Sequence, residues 1–284
     1  MIDLHCHTTA SDGTLSPAAL IERAAADGFT HLAITDHDSV AGVKQAAPLA
    51  QRLGICLIPG VELSSRLDEQ PVDILGYGID PDAPALVATL EAMVEARNQR
   101  MPRMIQRLRE AGIEIEMADV ERFAEGGVVG RPHLARALVA KGFATSVADA
   151  FDRYLGRSCI AYVPKEALSP ARAIEVIRAA GGLAVLAHPC YLRFEPAALV
   201  KVLDELVAAG LGGIEAYYSQ HTAQQVERFE RLGRERGLVI TGGSDFHGST
   251  KPDIRLGAGP GGKPLPVRLA CDLLAAIEKG KGTS

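Results

Sequence analysis

The first twelve residues, Met1-Ile-Asp-Leu-His-Cys-His-Thr-Thr-Ala-Ser-Asp12, place two imidazoles and a carboxylate within reach of one point. If Ile2 to His7 is a strand, successive side chains alternate between faces. His5 and His7 then share a face, about 7 Å apart at the backbone, while Cys6 points the other way. Two imidazoles so placed can hold one metal ion. The doublet alone is a weak signal, since one member can equally be a satisfied core histidine. The later chain strengthens it: His37 lies in Ile34-Thr-Asp-His-Asp38, Glu62 ends Leu57-Ile-Pro-Gly-Val-Glu62, His188 ends Leu183-Ala-Val-Leu-Ala-His188, and Asp245 and His247 follow Leu238-Val-Ile-Thr-Gly-Gly-Ser244.

Nitrogen and carboxylate donors without thiolate suit manganese, iron or zinc in a catalytic site rather than a closed structural one. The chain offers more such donors than one ion needs. A carboxylate such as Glu62 can bridge two ions about 3.5–4 Å apart, and such pairs activate water and neutralise charge on a phosphoryl group. The chemistry implied is hydrolysis.

These donors must be positioned by elements that bring distant segments to one place. Ser16-Pro17 reads as an N-cap with proline at the first helical position, opening a helix to Ala26. A strand from His31 to Thr35 follows. Ser39 caps a helix to about Leu53, and strands run from Ile55 to Val61 and from Val72 to Tyr77. After Pro164 the alternation resumes: helix from Ser169-Pro170 to Ala180, strand Leu183 to Ala187, helix Pro196 to Ala209, strand Gly213 to Tyr217, helix Thr222 to Arg236, strand Leu238 to Thr241, and a last helix to Lys279. Strands alternating with helices imply parallel pairing through crossovers, and seven strands suggest a closed or nearly closed barrel, with an open doubly wound sheet as the competing architecture. The donors lie at or beyond the C-terminal ends of different strands, which meet on one face of a barrel.

Residues 81–165 break the rhythm with helical periodicity and form an insert between the two barrel segments, 1–80 and 166–284. The first insert helix, Pro84 to Ala111, carries Arg97, Arg100, Arg103, Arg107 and Arg109 with Met93, Met101 and Met104, a solvated basic face over a methionine-padded stripe. Arg131 and His133, in Gly130-Arg-Pro-His133, stand at a helix start of the kind that attracts anions.

A chain of 284 residues can bury a core without staples. Its five cysteines are scattered without a C-x-x-C pair, and read as reduced, mostly packed thiols of a cytoplasmic protein. A formal charge of -5 and the absence of tryptophan disfavour a nucleic-acid coat protein and a stable nucleic-acid complex. No apolar run approaches the roughly 18 residues of a membrane helix.

Taken together, Asp3-Leu-His-Cys-His7 with Asp12, Ile34-Thr-Asp-His-Asp38, Pro59-Gly-Val-Glu62, Ala187-His-Pro189 and Gly243-Ser-Asp-Phe-His247 resemble, in order, the motifs of the PHP (polymerase and histidinol phosphatase) metal-dependent phosphoesterases. The resemblance implies an α/β fold, a distorted seven-stranded β/α barrel, here with a helical insert. Gly130-Arg-Pro-His133 and Ala161-Tyr-Val-Pro-Lys165 are similar to the small stand-alone nucleotide phosphoesterases. Position by position, the resemblance implies that His5, His7, Glu62 and Asp245 hold one ion and that Asp12, His37 and His247 hold another, with His188 and Glu62 near a third position. Where the subgroup often reads Val-His-Ile-Leu-Gly this chain has Val72-Asp-Ile-Leu-Gly76, so a third imidazole is replaced by Asp73 and two divalent ions are expected, manganese first, with iron or zinc as alternatives. Asp36, Asp38, Asp73 or His188 would move protons, and Arg131, His133, Arg157 and Lys165 would hold substrate. The implied reaction is release of the 3′-phosphate from a nucleoside 3′,5′-bisphosphate. The alternatives are a 5′-to-3′ exoribonuclease on short RNA, a histidinol-phosphate phosphatase and, in a different class, a non-catalytic metal- or nucleotide-binding module.

Overall fold

The structure, a computed structural model, describes residues 1–68, 70–123, 130–164 and 167–281, without the side chains of Arg97 and Lys281. The chain forms two compact units, Met1–Leu90 with Ala167–Ser284, and Glu91–Glu166. The first unit therefore reaches ten residues further than the 1–80 segment expected from sequence. The cause is packing: Ile79, Ala83, Leu86 and Leu90 are buried in the same cluster as Ile174 and Ile177.

The first unit contains β1 (Ile2–Cys6), α1 (Pro17–Ala26), β2 (His31–Ile34), α2 (Ala41–Arg52), β3 (Cys56–Leu63), a small hairpin of β4 (Arg66–Leu67) and β5 (Gln70–Pro71), β6 (Ile74–Tyr77) and the start of α3 (Pro84–Glu110). The second unit holds the rest of α3 and the short helices α4 (Met117–Glu121), α5 (Arg131–Ala140) and α6 (Val147–Ala150), followed by a π-helical turn at Phe151–Leu155. The chain then returns to the first unit with α7 (Pro170–Ala179), β7 (Leu183–Leu186), α8 (Pro196–Ala208), β8 (Gly213–Tyr218), α9 (Ala223–Arg234), β9 (Val239–Gly243) and α10 (Arg268–Lys281).

Local chemistry explains most boundaries. Ser16 and Ser169 accept hydrogen bonds from the backbone N–H groups of Ala19 and Arg172, each at 3.2 Å, with proline at the next position. Ser39 does not cap α2 in that way. The helix starts at Ala41 after Val40, and the Ser39 hydroxyl reaches only the Ala41 N–H, at 3.3 Å.

The principal sheet has the order β1-β2-β3-β6-β7-β8-β9. It is nearly closed, because the chain just past β9 pairs with β1: Asp245 N–H donates to the His5 carbonyl at 2.8 Å and His7 N–H to the Phe246 carbonyl at 2.9 Å. The expectation of parallel pairing throughout fails at β6, which runs antiparallel to both β3 and β7. The link from Leu63 to Ile74 carries only the small hairpin, whereas a parallel crossover needs a dozen or more residues and usually a helix. This reversal puts the start of β6, rather than its end, beside the end of β3: Ile74 lies opposite Leu63 and Leu186.

Three apolar clusters fill the first unit, one of them joining Ile2, Leu4, Ile58, Leu75 and Val185 to Leu269 and Leu273 of α10. Of the cysteines only Cys6 is fully buried, its thiol on the Ala33 carbonyl. Cys56 and Cys271 are exposed, so the thiols are less packed than expected. The second unit has its own core around Met101, Met104, Leu108, Leu134 and Leu138. The basic face of α3 is partly structural, since Arg100 Nε donates to the Val163 carbonyl at 3.0 Å and Arg107 to that of Tyr162. Among the described residues no helix is long and apolar enough to cross a membrane.

Closure of the sheet leaves no room at Gly243, where an added Cβ would stand 2.1 Å from His5 Cβ and 2.6 Å from His5 N. Backbone cannot give way as a flexible side-chain tip does, and overpacking of this kind costs about 1–3 kcal/mol or more. Gly243→Ala is therefore expected to lower the unfolding free energy by that amount, read as a lower midpoint in chemical unfolding followed by circular dichroism. An unchanged midpoint contradicts the close β1–β9 approach.

Candidate metal centre

Glu62, one residue before the end of β3, is fully buried and is the meeting point of four imidazoles. Its Oε2 lies 3.2 Å from His5 Nε2, 3.2 Å from His7 Nε2 and 3.3 Å from His37 Nδ1, and its Oε1 lies 2.9 Å from His188 Nε2. Asp245, just past β9, supplies a second carboxylate: its Oδ1 is 3.6, 3.3 and 3.3 Å from ring nitrogens of His5, His7 and His247. Asp12 closes the open side, 3.6 Å from His7 Nδ1 and 3.2 Å from His247 Nε2. All eight donors expected from sequence thus come together from the ends of β1, β3, β7 and β9 and the loops that follow β1 and β2.

Their atoms fall into three groups, each within 4.8 Å: His7, Asp12, His37 and His247; His5, His7 and Asp245; and His5, Glu62 and His188. His7 therefore belongs to two groups, and Glu62 clusters with His5 and His188. Asp73 is half-buried at the entrance to β6 and in none of the groups, and its carbonyl accepts from Ala187 N–H at 3.1 Å.

The residues present fit divalent ions. His7 Nε2 and His37 Nδ1 are buried and make no hydrogen bond, although both point at Glu62. Buried polar atoms without partners are rare and costly, and here two of them border one carboxylate, which a shared cation would satisfy. The donor set is all nitrogen and oxygen, as manganese, iron or catalytic zinc requires.

The electrostatics follow from the same contacts. Burial by itself would raise the Glu62 carboxyl, but the imidazoles of His37, His5 and His188 more than reverse this and hold it well below the usual carboxylate range. Burial would likewise lower His7, yet the Asp245 and Glu62 carboxylates push it up to about 9. His37, by contrast, is lowered by burial against the pull of Glu62. Without ions, then, protons on some imidazoles balance the buried carboxylates. An ion binding here displaces a proton from His7, so affinity rises as pH rises towards about 9.

Several supporting residues stand outside the donor set. Glu215, buried in β8, accepts from His5 Nδ1 at 3.0 Å and from the backbone N–H of His188 at 2.8 Å. A carboxylate inside the apolar run Gly213-Ile-Glu-Ala-Tyr217 was the available signal, since buried charges demand partners. Asp3, also buried, accepts from the N–H groups of Ser244, Gly257 and His5 and so ties β1 to the segment after β9. Asp245 Oδ2 is held by Tyr218 OH at 2.9 Å and Lys251 Nζ at 2.6 Å.

Asp36, expected to move protons, is buried and accepts from Thr8 N–H at 2.7 Å, Thr8 Oγ1 at 2.8 Å and Ser11 Oγ at 2.7 Å. It orders the loop that carries Asp12, and Gly42 makes room for it, since a Cβ there would lie 2.0 Å from Asp36 Oδ2. Asp38 Oδ1 accepts from Ser64 N–H at 2.8 Å. Asp38, His188 and Asp245 all adopt left-handed φ values, 50°, 24° and 59°. Asp68, in the turn between β4 and β5, does so as well, at 50°; positive φ is uncommon for non-glycine residues and tends to cluster at functional sites.

Of the residues expected to hold substrate, Lys165 lies outside the described residues. Arg157 is exposed in the second unit. Arg131 and His133 do open α5, where the Arg131 guanidinium lies 5.7 Å from the Phe151 ring centroid and His133 Nδ1 accepts from Gly130 N–H at 3.1 Å.

The Glu215 contact predicts a measurable loss. Partners that orient a ligating histidine contribute about 10–100-fold to metal affinity. Glu215→Gln is expected to weaken manganese binding by that factor in calorimetric titration, with the affinity of both proteins rising between mildly acidic and mildly alkaline pH. Unaltered affinity, or affinity that falls as pH rises, contradicts the assignment.

Comparison with known proteins agrees with this geometry. The family model described as PHP domain matches residues 3–155. The 5′-3′ exoribonuclease Rnm of Escherichia coli is 38% identical over 257 residues, covering 90% of this chain and 87% of that protein. The 3′,5′-nucleoside bisphosphate phosphatase of Chromobacterium violaceum is 37% identical over 247 residues, covering 87% of each. A solved structure from Bifidobacterium adolescentis, described as a metal-dependent phosphoesterase, superposes with a TM-score of 0.71 at 32% identity over 97% of this chain and 96% of that one. With its motifs in order, its nearly closed seven-stranded sheet and its buried cluster of imidazoles and carboxylates, the chain belongs to the PHP domain family.

Proposed function

We propose that this chain is a metal-dependent phosphoesterase that removes the 3′-phosphate of nucleoside 3′,5′-bisphosphates. The observation that carries the reading is the convergence of His5, His7, His37 and His188 on buried Glu62, with two ring nitrogens left unpartnered. Divalent ions held there would lower the pKa of water towards neutrality and neutralise charge on phosphoryl oxygens. His5, His7, Glu62 and Asp245 are proposed for one ion and Asp12, His37 and His247 for a second, manganese being the first choice.

The chain's own residues set up that chemistry. Glu215 accepts a hydrogen bond from His5 Nδ1 and so leaves its Nε2 facing Glu62, and the Asp245 carbonyl accepts from His247 Nδ1 at 2.9 Å and so leaves its Nε2 facing Asp12. Tyr218 and Lys251 occupy Oδ2 of Asp245 and leave Oδ1 facing the histidines. His37 and His188 keep 30% and 12% of their side-chain surface open, more than the other imidazoles of the cluster. Burial would lower His188, but Glu62 raises it, and we assign it proton donation to the leaving oxygen. Arg131, His133, Arg157 and Lys165 are proposed to hold a second phosphate, whose binding energy helps position the reacting one.

A second reading is favoured by the Escherichia coli relative named as an exoribonuclease: stepwise cleavage from the 5′ end of short RNA with the same centre.

The test is a panel of nucleoside bisphosphates, mononucleotides, histidinol phosphate and short 5′-phosphorylated RNA, incubated with manganese-loaded protein and followed by phosphate and nucleotide release. Phosphate is expected fastest from the bisphosphates, to be abolished by chelation and restored by manganese, and to slow with Arg131→Ala far more on bisphosphates than on an aryl phosphate. Mononucleotide release from RNA as the dominant activity establishes the second reading. Full turnover by protein shown by elemental analysis to be metal-free overturns both.

A further inference from the structure

The first unit is sparing with aromatic surface, yet one ring is displayed at the rim of the metal centre. Tyr191 is 48% exposed and is the single aromatic among the large apolar side chains that the described residues leave exposed. It ends a short 3₁₀ turn, Pro189–Tyr191, that follows His188 directly. Its ring centroid lies 5.3 Å from that of His188, whose Nε2 contacts Glu62. The ring is thus one side chain away from the carboxylate on which the donors converge.

An exposed tyrosine usually moves freely, but this one is fixed. Its hydroxyl lies 3.0 Å from Tyr218 OH and donates to Gln220 Oε1 at 2.7 Å. Tyr218 in turn donates to Asp245. The backbone around it is tied at two more points, His188 N–H to Glu215 Oε2 at 2.8 Å and Arg193 N–H to Gln70 Oε1 at 2.7 Å. Tyr191 is T-shaped to Tyr218, at 73° and 5.9 Å, and tilted 60° to His188, so neither neighbour lies parallel against it and nearly half of the residue stays open. A rigid aromatic with an open face binds at little entropic cost. The flat, apolar partner that such a face accepts is a nucleobase, and every base offers a π-face.

We propose that Tyr191 is the platform on which the base of the substrate stacks while its phosphate occupies the metal centre. This deepens the nucleotide reading above and rests on it. The platform selects for the presence of a base without selecting which base, because stacking reads no hydrogen-bond edge. The phenol hydroxyl anchors the ring and is not itself a contact to the base.

The test compares wild type, Tyr191→Phe and Tyr191→Ala on adenosine 3′,5′-bisphosphate and on base-free ribose 3,5-bisphosphate, with metal content and circular dichroism matched. Tyr191→Ala is expected to lower kcat/KM for the nucleotide roughly five- to hundredfold, mainly through KM, the span that one base–aromatic stack supports. Its effect on the base-free compound is small, and Tyr191→Phe, which keeps the ring but loses its hydroxyl anchor, costs the nucleotide clearly less than Tyr191→Ala. Because the chain has six tyrosines and no tryptophan, tyrosine emission gives an independent readout. Adenosine bisphosphate is expected to quench it in wild type and much less in Tyr191→Phe. Equal loss on both compounds, no loss on either, or a Tyr191→Phe defect as large as that of Tyr191→Ala overturns the platform and assigns the ring to support of Asp245 through Tyr218. Failure of the nucleotide reading shows instead in the wild-type arm, as no preference for the base-bearing compound, and removes the platform with it.

Discussion

The architecture of the first unit depends on one buried charge. Removing the Glu62 carboxylate from water is costly unless it is paired on every side, and the fold meets that demand with four imidazoles from three separate segments. The solution is incomplete by design of the donors: His7 Nε2 and His37 Nδ1 end beside the carboxylate without a hydrogen bond. Protons can balance part of the charge, but a divalent cation balances it better and satisfies the orphaned nitrogens at once. The left-handed backbone at Asp38, His188 and Asp245 holds strain in the same place, each such residue costing about 1–3 kcal/mol. That strain persists because the surrounding hydrogen bonds leave those side chains no other direction.

Closure of the sheet serves the same charge. Asp3 joins β1 to the backbone that follows β9, Gly243 lets the two approach, and the paired backbone then sets His5, His7 and Asp245 on one side. The reversed strand β6 completes the arrangement from the other direction. Because it enters the sheet at the end where β3 and β7 leave it, the chain delivers Asp73 beside the segment leading to His188 without a helical crossover.

Much of this was legible in the sequence, for identifiable reasons. A donor at or just past the end of an apolar run marks a strand end, and His37, Glu62, His188 and Asp245, joined to His5 and His7, pointed to both the cluster and the barrel. Alternation in Leu4-His5-Cys6-His7 correctly sent the Cys6 thiol into the core. Strand direction was less visible, because apolar periodicity is the same read either way. The ten residues between Leu63 and Ile74 were the usable clue, being too few for a crossover. Glu215 and Asp3 stayed hidden because a carboxylate inside an apolar run announces burial but not its partner. Asp36 misled because it adjoins His37 in sequence, while its side chain serves Thr8 and Ser11. The arginines of α3 show the same ambiguity: Arg100 and Arg107 bind backbone carbonyls, a role that charge patterning alone does not distinguish from a solvated face.

The central claim is that Glu62 is a ligand of the divalent ion proposed for His5, His7 and Asp245. Crystals grown with manganese and measured at its absorption edge test this directly, because anomalous scattering locates the ions independently of any activity. The account predicts anomalous peaks at bonding distance from Glu62, with His5 or His7 and Asp245 among the remaining ligands. Manganese bound elsewhere in the chain with none in contact with Glu62 would contradict it.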